Sequence, residues 1–270
     1  MNITFIGGGN MASAIIGGLL QRNWDPDQLR VVEIMPAARE KLEQNYRIRT
    51  FAGVNAESLQ AGCVVLAIKP QQIREVAAQL APFIGNALVI SIAAGIRGAD
   101  LSRWLGNHQR IVRVMPNTPA LVLAGVSGLY AMPGVTAEDR ARAESIMGAV
   151  GETVWVAREE DIDTVTAVSG SGPAYVFYFI EALEQAAREL GMSAAAARQL
   201  AIATFTGASK LAAQSTEDAA TLRQRVTSKG GTTERAIASM ESDQIKTAIM
   251  RAVKAAADRS RELGDELGRV

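Results

Sequence analysis

The chain has 270 residues, 48% of them apolar and 21% charged, with Lys plus Arg matching Asp plus Glu at 28 each. Domains hold about 100–200 residues, so two cores fit, and the composition lies far from the disordered regime. The formal net charge of zero argues against a chain built to coat nucleic acid or an anionic membrane, so neither partner is expected.

The chain opens with Asn2-Ile3-Thr4-Phe5-Ile6 and then three glycines. That lacks the basic start and apolar run of a signal peptide, and later apolar runs fall short of the roughly 18 residues of a membrane span. A cytoplasmic protein is expected. Short runs rich in Val, Ile or Leu follow at Ile3–Ile6, Leu29–Val32, Cys63–Ile68, Ala87–Ile92 and Ile111–Met115. Helical spacing lies between the early ones, at Met11–Gln21 and Ala37–Gln44. Strands alternating with helices predict a parallel sheet covered on both faces. Two further strands are read at Gly125–Met132 and Thr153–Val156, separated by a helix over Ala137–Val150.

Cys63 is the one cysteine and His108 the one histidine. This excludes an internal disulfide, suits a reducing compartment, and leaves no usual zinc ligand set. His108 sits in Gly106-Asn107-His108-Gln109-Arg110 and reads as a solvated turn residue without catalytic duty.

From about Asp161 the strand pattern stops and Ala, Leu, Glu, Gln and Arg dominate. Helices are predicted at Ala174–Leu190, Ala194–Gln214, Glu217–Val226, Thr232–Glu241 and Asp243–Leu267. Ser193 and Thr216 are the expected N-caps, Thr216 without a capping box because Ala219 stands where Glu or Gln is needed. The expected division is a dinucleotide-binding domain over 1–160 and an all-helical domain over 161–270. The many alanines of the second suit a bundle shared between subunits.

Ile6-Gly7-Gly8-Gly9-Asn10-Met11-Ala12 fits G-x-G-x-x-G/A with a strand before it and a helix after. Gly7 permits the tight turn, Gly9 lets the backbone approach a pyrophosphate, and Ala12 keeps the helix close to the sheet. The helix N-terminus then offers N–H groups and a positive dipole end. Glu33, closing the second strand, is placed to bind an adenosine ribose 2′-hydroxyl and to repel a 2′-phosphate. Read alone it favours NADH, with Arg39 the nearest cation; the choice between NADH and NADPH stays open.

Three segments end strands on the sheet edge where ligands of such folds bind: Ala67-Ile68-Lys69-Pro70, Ser91-Ile92-Ala93-Ala94-Gly95 and Val114-Met115-Pro116-Asn117-Thr118-Pro119. The helical part adds Ser169-Gly170-Ser171-Gly172-Pro173-Ala174-Tyr175 and Thr227-Ser228-Lys229-Gly230-Gly231-Thr232-Thr233. In this order, over the whole chain, these motifs resemble the Δ1-pyrroline-5-carboxylate reductase family.

The resemblance implies a Rossmann-type α/β domain joined to an all-α domain that interlocks into homodimers, which can assemble into decamers. It implies a site between the dinucleotide domain of one subunit and the helical domain of its partner, where hydride from NADPH or NADH reduces the C=N bond of 1-pyrroline-5-carboxylate to L-proline. Ile6, Gly7, Gly8, Gly9, Asn10 and Met11 match the pyrophosphate turn. Asn55, Ala67, Ile68, Lys69 and Pro70 match cofactor contacts, and Ala93, Ala94 and Gly95 lie near the nicotinamide. Glu159 matches a proline-side position. Ser228, Gly230, Gly231, Thr232 and Thr233 match the loop holding the substrate carboxylate and ring nitrogen. Lys229 stands at a common proline, Arg225 at a common asparagine, and Glu33 where many members carry Asn or Ser.

A protonated imine carbon is already electrophilic, so such a site needs placement and a screened carboxylate more than a strong acid. Backbone N–H groups around Gly230 and Gly231 and the Thr232 and Thr233 hydroxyls suit that task. Thr233 is the one catalytic candidate, by a hydrogen bond to the ring nitrogen; the plainer alternative is that it caps the helix starting there. Lys69 reads as a turn-shaping or phosphate-facing residue. Ser169 and Ser171 lack a general base. A β-hydroxyacid dehydrogenase or a broader imine reductase is the rival enzyme, yet Lys210 lacks the Gly-rich context of the hydroxyacid enzymes' catalytic lysine; a nucleotide-binding sensor is the rival without chemistry.

Overall fold

The computed structural model describes residues 1–268. They fall into two compact units, one of Met1–Ser171 joined by the chain from Ala256 onward, the other of Gly172–Ala255.

The first unit is built on an eight-stranded sheet: β1 (Ile3–Ile6), β2 (Leu29–Val32), β3 (Arg49–Phe51), β4 (Cys63–Leu66), β5 (Leu88–Ser91), β6 (Ile111–Met115), β7 (Gly125–Ala131) and β8 (Gly151–Trp155), in spatial order 3-2-1-4-5-6-7-8. All neighbouring pairs are parallel except β6 with β7. Alternate strand residues face opposite layers, as a pleated strand requires. Ile3, Phe5, Leu29, Val31, Val65 and Ile90 pack with Ala12, Ile15, Ile16 and Leu19 of α1 (Asn10–Gln21), Leu42 of α2 (Pro36–Tyr46) and Ile146 of α5 (Ala137–Met147). Ile6, Val32, Val64, Leu66 and Val89 face Ile73, Ala77 and Leu80 of α3 (Ile73–Leu80) and Leu101 of α4 (Gly98–Trp104). Burial on both faces explains why these strands read as continuous apolar runs, each such side chain contributing about 1.5–3 kcal/mol.

Local rules set the ends. The apolar residues of α1 at 12, 15, 16 and 19 keep helical spacing, and the helix stops before Asn23 at φ 64°. Helix α5 opens with a capping box of Thr136 and Asp139. Asp139 is also fully buried and paired to Arg110 at 2.6 Å. Burial pushes its carboxyl up, but hydrogen bonds from Arg110 and Thr136 outweigh that and hold it below the ordinary carboxylate range. Cys63 lies in the same core, and burial raises its thiol to about 12.

Several expectations change here. β3 is absent from the sequence reading, being three residues long and only partly buried. The composition change near residue 160 marks where strands stop, not where the unit ends. Helix α6 (Asp161–Val165) buries Ile162, and a Cβ on Gly128 of β7 would stand 2.6 Å from Val165. The last helix, α11 (Ile245–Gly268), also ends within this unit. His108 is half-buried rather than solvated; burial lowers its pKa and its Nε2 has no hydrogen-bond partner.

In the second unit α7 (Gly172–Glu189) packs against α8 (Ala194–Gln214), with Phe179 and Phe205 ring centroids 6.5 Å apart. Ser193 caps α8 as expected, accepting from the Ala196 N–H. Helix α9 (Ala219–Arg225) is capped by Asp218, two residues after the expected Thr216. Asp218 wins because its carboxylate reaches the Thr221 N–H at 2.7 Å. Helix α10 (Thr232–Ser242) and the first part of α11 complete the unit. Phe177, Tyr178, Leu190 and Leu211 leave it 65%, 72%, 86% and 66% exposed.

Candidate active site

The order 3-2-1-4 puts the point where the winding reverses between β1 and β4, with the Gly-rich turn at its mouth. The three glycines differ in what demands them. Gly7 has φ +95°, and a Cβ on it would lie 2.6 Å from Ile68 and 2.7 Å from the Ala67 carbonyl oxygen. On Gly8 it would strike Leu42 at 2.5 Å. On Gly9 it would meet nothing within 4 Å. Gly9 is the N-cap of α1 without a side-chain cap. Ser13 N–H is the first donor back to its carbonyl. The N–H groups of Asn10, Met11 and Ala12 therefore have no acceptor within the helix. Open space, spare donors and a helix dipole meet at one point, which fits a pyrophosphate.

Glu33 closes β2 with its carboxylate accepting from Gly8 N–H at 3.0 Å and Met35 N–H at 2.9 Å. It is thus held beside the turn, and it lines a cavity of about 210 Å³ with Gly7, Val32, Ile34, Gly53 and Val54. Arg39 donates to the carbonyls of Glu33 and Ile34, so its guanidinium braces the same loop. Asn55 makes a reciprocal turn with Ser58, its Oδ1 accepting from Ser58 N–H at 2.8 Å. Ala67 and Ile68 back the Gly7 turn, Lys69 is exposed, and Pro70 begins a short 3-10 turn. Ala93, Ala94 and Gly95 leave β5 on the same edge.

Glu159 is engaged inside the unit. Its Oε1 accepts from Arg113 and from Gly98 N–H, both at 2.6 Å, tying β6 to the start of α4. Asn117 joins two of the motifs. Its Oδ1 accepts from Val126 N–H at 2.9 Å, and its Nδ2 donates to the Ser169 carbonyl at 3.2 Å. Residues Thr166–Gly170 form a single π-helical turn, closed by Ser171 N–H on the Thr166 carbonyl, a feature without a sequence signal of its own. In a plain helix the Ser169 carbonyl would accept from residue 173, which is Pro173 and has no N–H; Asn117 supplies the donor. The Ser169 hydroxyl donates to the Val165 carbonyl at 3.0 Å, so it is a helix-binding group.

The second unit holds the other loop. Gly231 caps α10, again without a side-chain cap. Arg235 N–H donates to the Gly231 carbonyl, leaving Thr232, Thr233 and Glu234 N–H without helical acceptors. The expectation for Gly230 and Gly231 needs correcting. Gly230 N–H donates to Glu234 at 2.7 Å and Gly231 N–H to the Ser228 carbonyl at 3.0 Å. The spare donors therefore lie one to three residues later. Thr233 is not the cap; it occupies the second helical position. Ser228 and Thr232 are exposed and Thr233 half-buried. Arg225 is paired with Glu217. Lys210 is exposed on α8. No group of three or more His, Cys, Asp or Glu suited to a metal exists among the described residues, and none of their helices is long and apolar enough to cross a membrane.

A pyrroline-5-carboxylate reductase of Pseudomonas aeruginosa is 43% identical over 268 residues, 98% of each chain. The chain belongs to the pyrroline-5-carboxylate reductase family. Residues 159–263 match the family description "Pyrroline-5-carboxylate reductase dimerisation", and residues 2–95 match "NADP oxidoreductase coenzyme F420-dependent". A solved reductase from Coxiella burnetii shares 41% identity with TM-score 0.93, covering 97% of this chain and 98% of that one. A Plasmodium falciparum pyrroline carboxylate reductase, solved with NADP bound, shares 29% identity with TM-score 0.86, covering 98% of each. Such reductases are NAD(P)H-dependent oxidoreductases, so the Gly7–Met11 turn has a matching ligand class.

Proposed function

We propose that this protein reduces the C=N bond of 1-pyrroline-5-carboxylate with NADPH or NADH, giving L-proline as the last step of proline biosynthesis. One observation carries the reading: the likeness to reductases of this name runs through both units, covering 98% of the chain. When bound, the dinucleotide supplies the hydride. Ile6, Gly7, Gly8, Gly9, Asn10 and Met11 hold its pyrophosphate, and Glu33 faces the adenosine ribose. Asn55 and Ala67, Ile68, Lys69 and Pro70 flank it, while Ala93, Ala94 and Gly95 receive the nicotinamide side.

For the substrate, the N–H groups of Thr232, Thr233 and Glu234 at the positive end of α10 bind the carboxylate. The Thr233 hydroxyl oxygen accepts a hydrogen bond from the iminium N–H, so the proton stays on the ring nitrogen and the carbon stays electrophilic. Ser228, Gly230 and Gly231 shape that loop. Glu159 holds the segment leading into α4 through Arg113 and Gly98, and we assign it that duty rather than substrate contact.

We also infer a homodimer formed through the helical unit, supported by the dimerisation match and the exposed Phe177, Tyr178, Leu190 and Leu211. A cytoplasmic setting is supported by the single, buried Cys63. Sedimentation velocity separates dimer from decamer. The deciding experiment is a steady-state assay with 1-pyrroline-5-carboxylate, run with NADH and with NADPH. Turnover is expected with at least one, and none with 3-hydroxyisobutyrate supplied with NAD+ or NADP+ as hydride acceptor. No turnover with either dinucleotide sinks the reading.

A further inference from the structure

The end of α11 lies against the turn that leaves β5. Gly95 has φ +73°, and a Cβ there would stand 3.1 Å from Leu267, 3.4 Å from the Leu263 Cβ and 3.6 Å from the Leu263 carbonyl carbon. The helix backbone itself thus rests on the turn. The reverse holds too: Gly264 is buried, and a Cβ on it would lie 3.2 Å from Nε of Arg97. Two glycines, one on each element, permit this close approach; a Cβ on either would press its neighbours back by a few tenths of an ångström.

Polar ties frame this contact. Arg97 pairs with Asp265 at 2.6 Å, Ser260 donates to Asp163 of α6 at 2.6 Å, and Arg103 of α4 donates to the Gly268 carbonyl at 3.3 Å. A cavity of about 360 Å³ beside it is lined by Arg97, Arg113, Glu159, Asp163, Ser260 and Asp265. Each of these six is paired with another of them, so the cavity asks for no further ion. The turn is also held from behind, where Glu159 accepts from Gly98 N–H.

The position of this turn gives the contact a consequence. Along the sheet edge Glu33 follows β2, the Gly-rich turn follows β1, and Ala93-Ala94-Gly95 follows β5 on the far side of β4. A dinucleotide with its adenosine at Glu33 and its pyrophosphate at Gly9 must extend toward β5, so its reactive half reaches this turn. We propose that the last turns of α11 form a positioning clamp, with Leu263 and Leu267 as positioning residues that hold Ala93-Ala94-Gly95 in the shape that receives the nicotinamide. The inference rests on the reductase reading for the identity of that ligand.

Leu267→Ala tests it in the full-length chain, with Asp265→Asn as a second, milder variant. Titrations follow NADPH or NADH, whichever the assay selects, and ADP-ribose, which lacks the nicotinamide. Because a misplacement of about 1 Å at a reacting centre costs as much as 100-fold, kcat/KM of Leu267→Ala is expected to fall at least about tenfold. The reduced dinucleotide should bind more weakly, ADP-ribose affinity should stay within about twofold, and Leu267→Met should restore the loss. Unchanged kinetics and dinucleotide affinity overturn the clamp. So does a loss of ADP-ribose binding in step with the dinucleotide, which marks general loosening. Should the wild-type chain reduce no pyrroline-5-carboxylate, the reductase reading falls, while the two titrations still decide the clamp.

Discussion

Two helices of this protein begin from a glycine N-cap. Both α1 and α10 start from a glycine with extended backbone and no side-chain cap, leaving three N–H groups without helical acceptors. Their surroundings differ. The turn before α1 is packed from beneath, since Gly7 and Gly8 have neighbours that a Cβ would strike. The loop before α10 is exposed at Ser228 and Gly230, and a Cβ on Gly230 would meet nothing within 4 Å. One helix start is thus part of a core, and the other is a surface feature held mainly by its own hydrogen bonds. Damage to the first should unfold the protein or spare it according to which glycine is touched; damage to the second should read in kinetics alone.

The largest expected effect breaks the first region. Gly7→Ala should cost about 3 kcal/mol or more, from a left-handed backbone and two close contacts, read as a fall in the denaturation midpoint. A cost below about 1 kcal/mol would mean the turn is not core at all. Asp139→Asn should cost about 3 kcal/mol at neutral pH by leaving Arg110 without its buried partner. Because the folded carboxyl is held below its unfolded value, this contribution is fully present above about pH 4. It fades as pH falls through the lower folded pKa, so the variant and wild type should converge in acid melts.

Gly9→Val sharpens the contrast. It adds atoms to open space, so the melting temperature should hold while dinucleotide affinity drops by about 100-fold. A variant that melts early instead would show hidden packing at Gly9. In the second region, Thr233→Ala should lower kcat/KM by about tenfold without a change in stability, the value of one hydrogen bond to a charged group. A loss below about threefold returns Thr233 to a structural part. The smallest effect is on cofactor choice: Glu33→Ser should shift the NADPH/NADH ratio of kcat/KM by about fivefold toward NADPH, one fixed charge in wet surroundings. No shift would mean that Glu33 only braces Gly8 and Met35.

How much of this was legible in the residues follows the same divide. The buried strands were, because burial on both faces forces uninterrupted Val, Ile and Leu, as in Leu29–Val32. The Gly7–Ala12 turn was, because Gly7 and Gly8 have neighbours that a Cβ would strike and Ala12 is buried against the sheet. β3 was not, since Arg49-Thr50-Phe51 is too short and too exposed to show a period. The return of α11 to the first unit was hidden as well. Leu263, Gly264 and Leu267 look like any helical stripe until Gly95 is set against them. Gly230 and Gly231 suggested anion-binding amides, and a side chain three residues into the helix, Glu234, displaced that role onto its neighbours. His108 looked solvated from its polar neighbours, yet packing buried half of it.

The Asn117 link to Ser169 ties the fates of two distant positions. Pro173 deprives one carbonyl of its donor, and Asn117 restores it from fifty-two residues away in sequence. Exchange Pro173 for alanine and the helix regains its own N–H, making the asparagine's amide redundant there; exchange Asn117 alone and the carbonyl is stranded. The two residues therefore form a lineage constraint: losing the proline first relieves the Ser169 carbonyl, yet the asparagine must still answer the Val126 N–H, so Asn117 is expected to outlast the proline in any descendant of this chain.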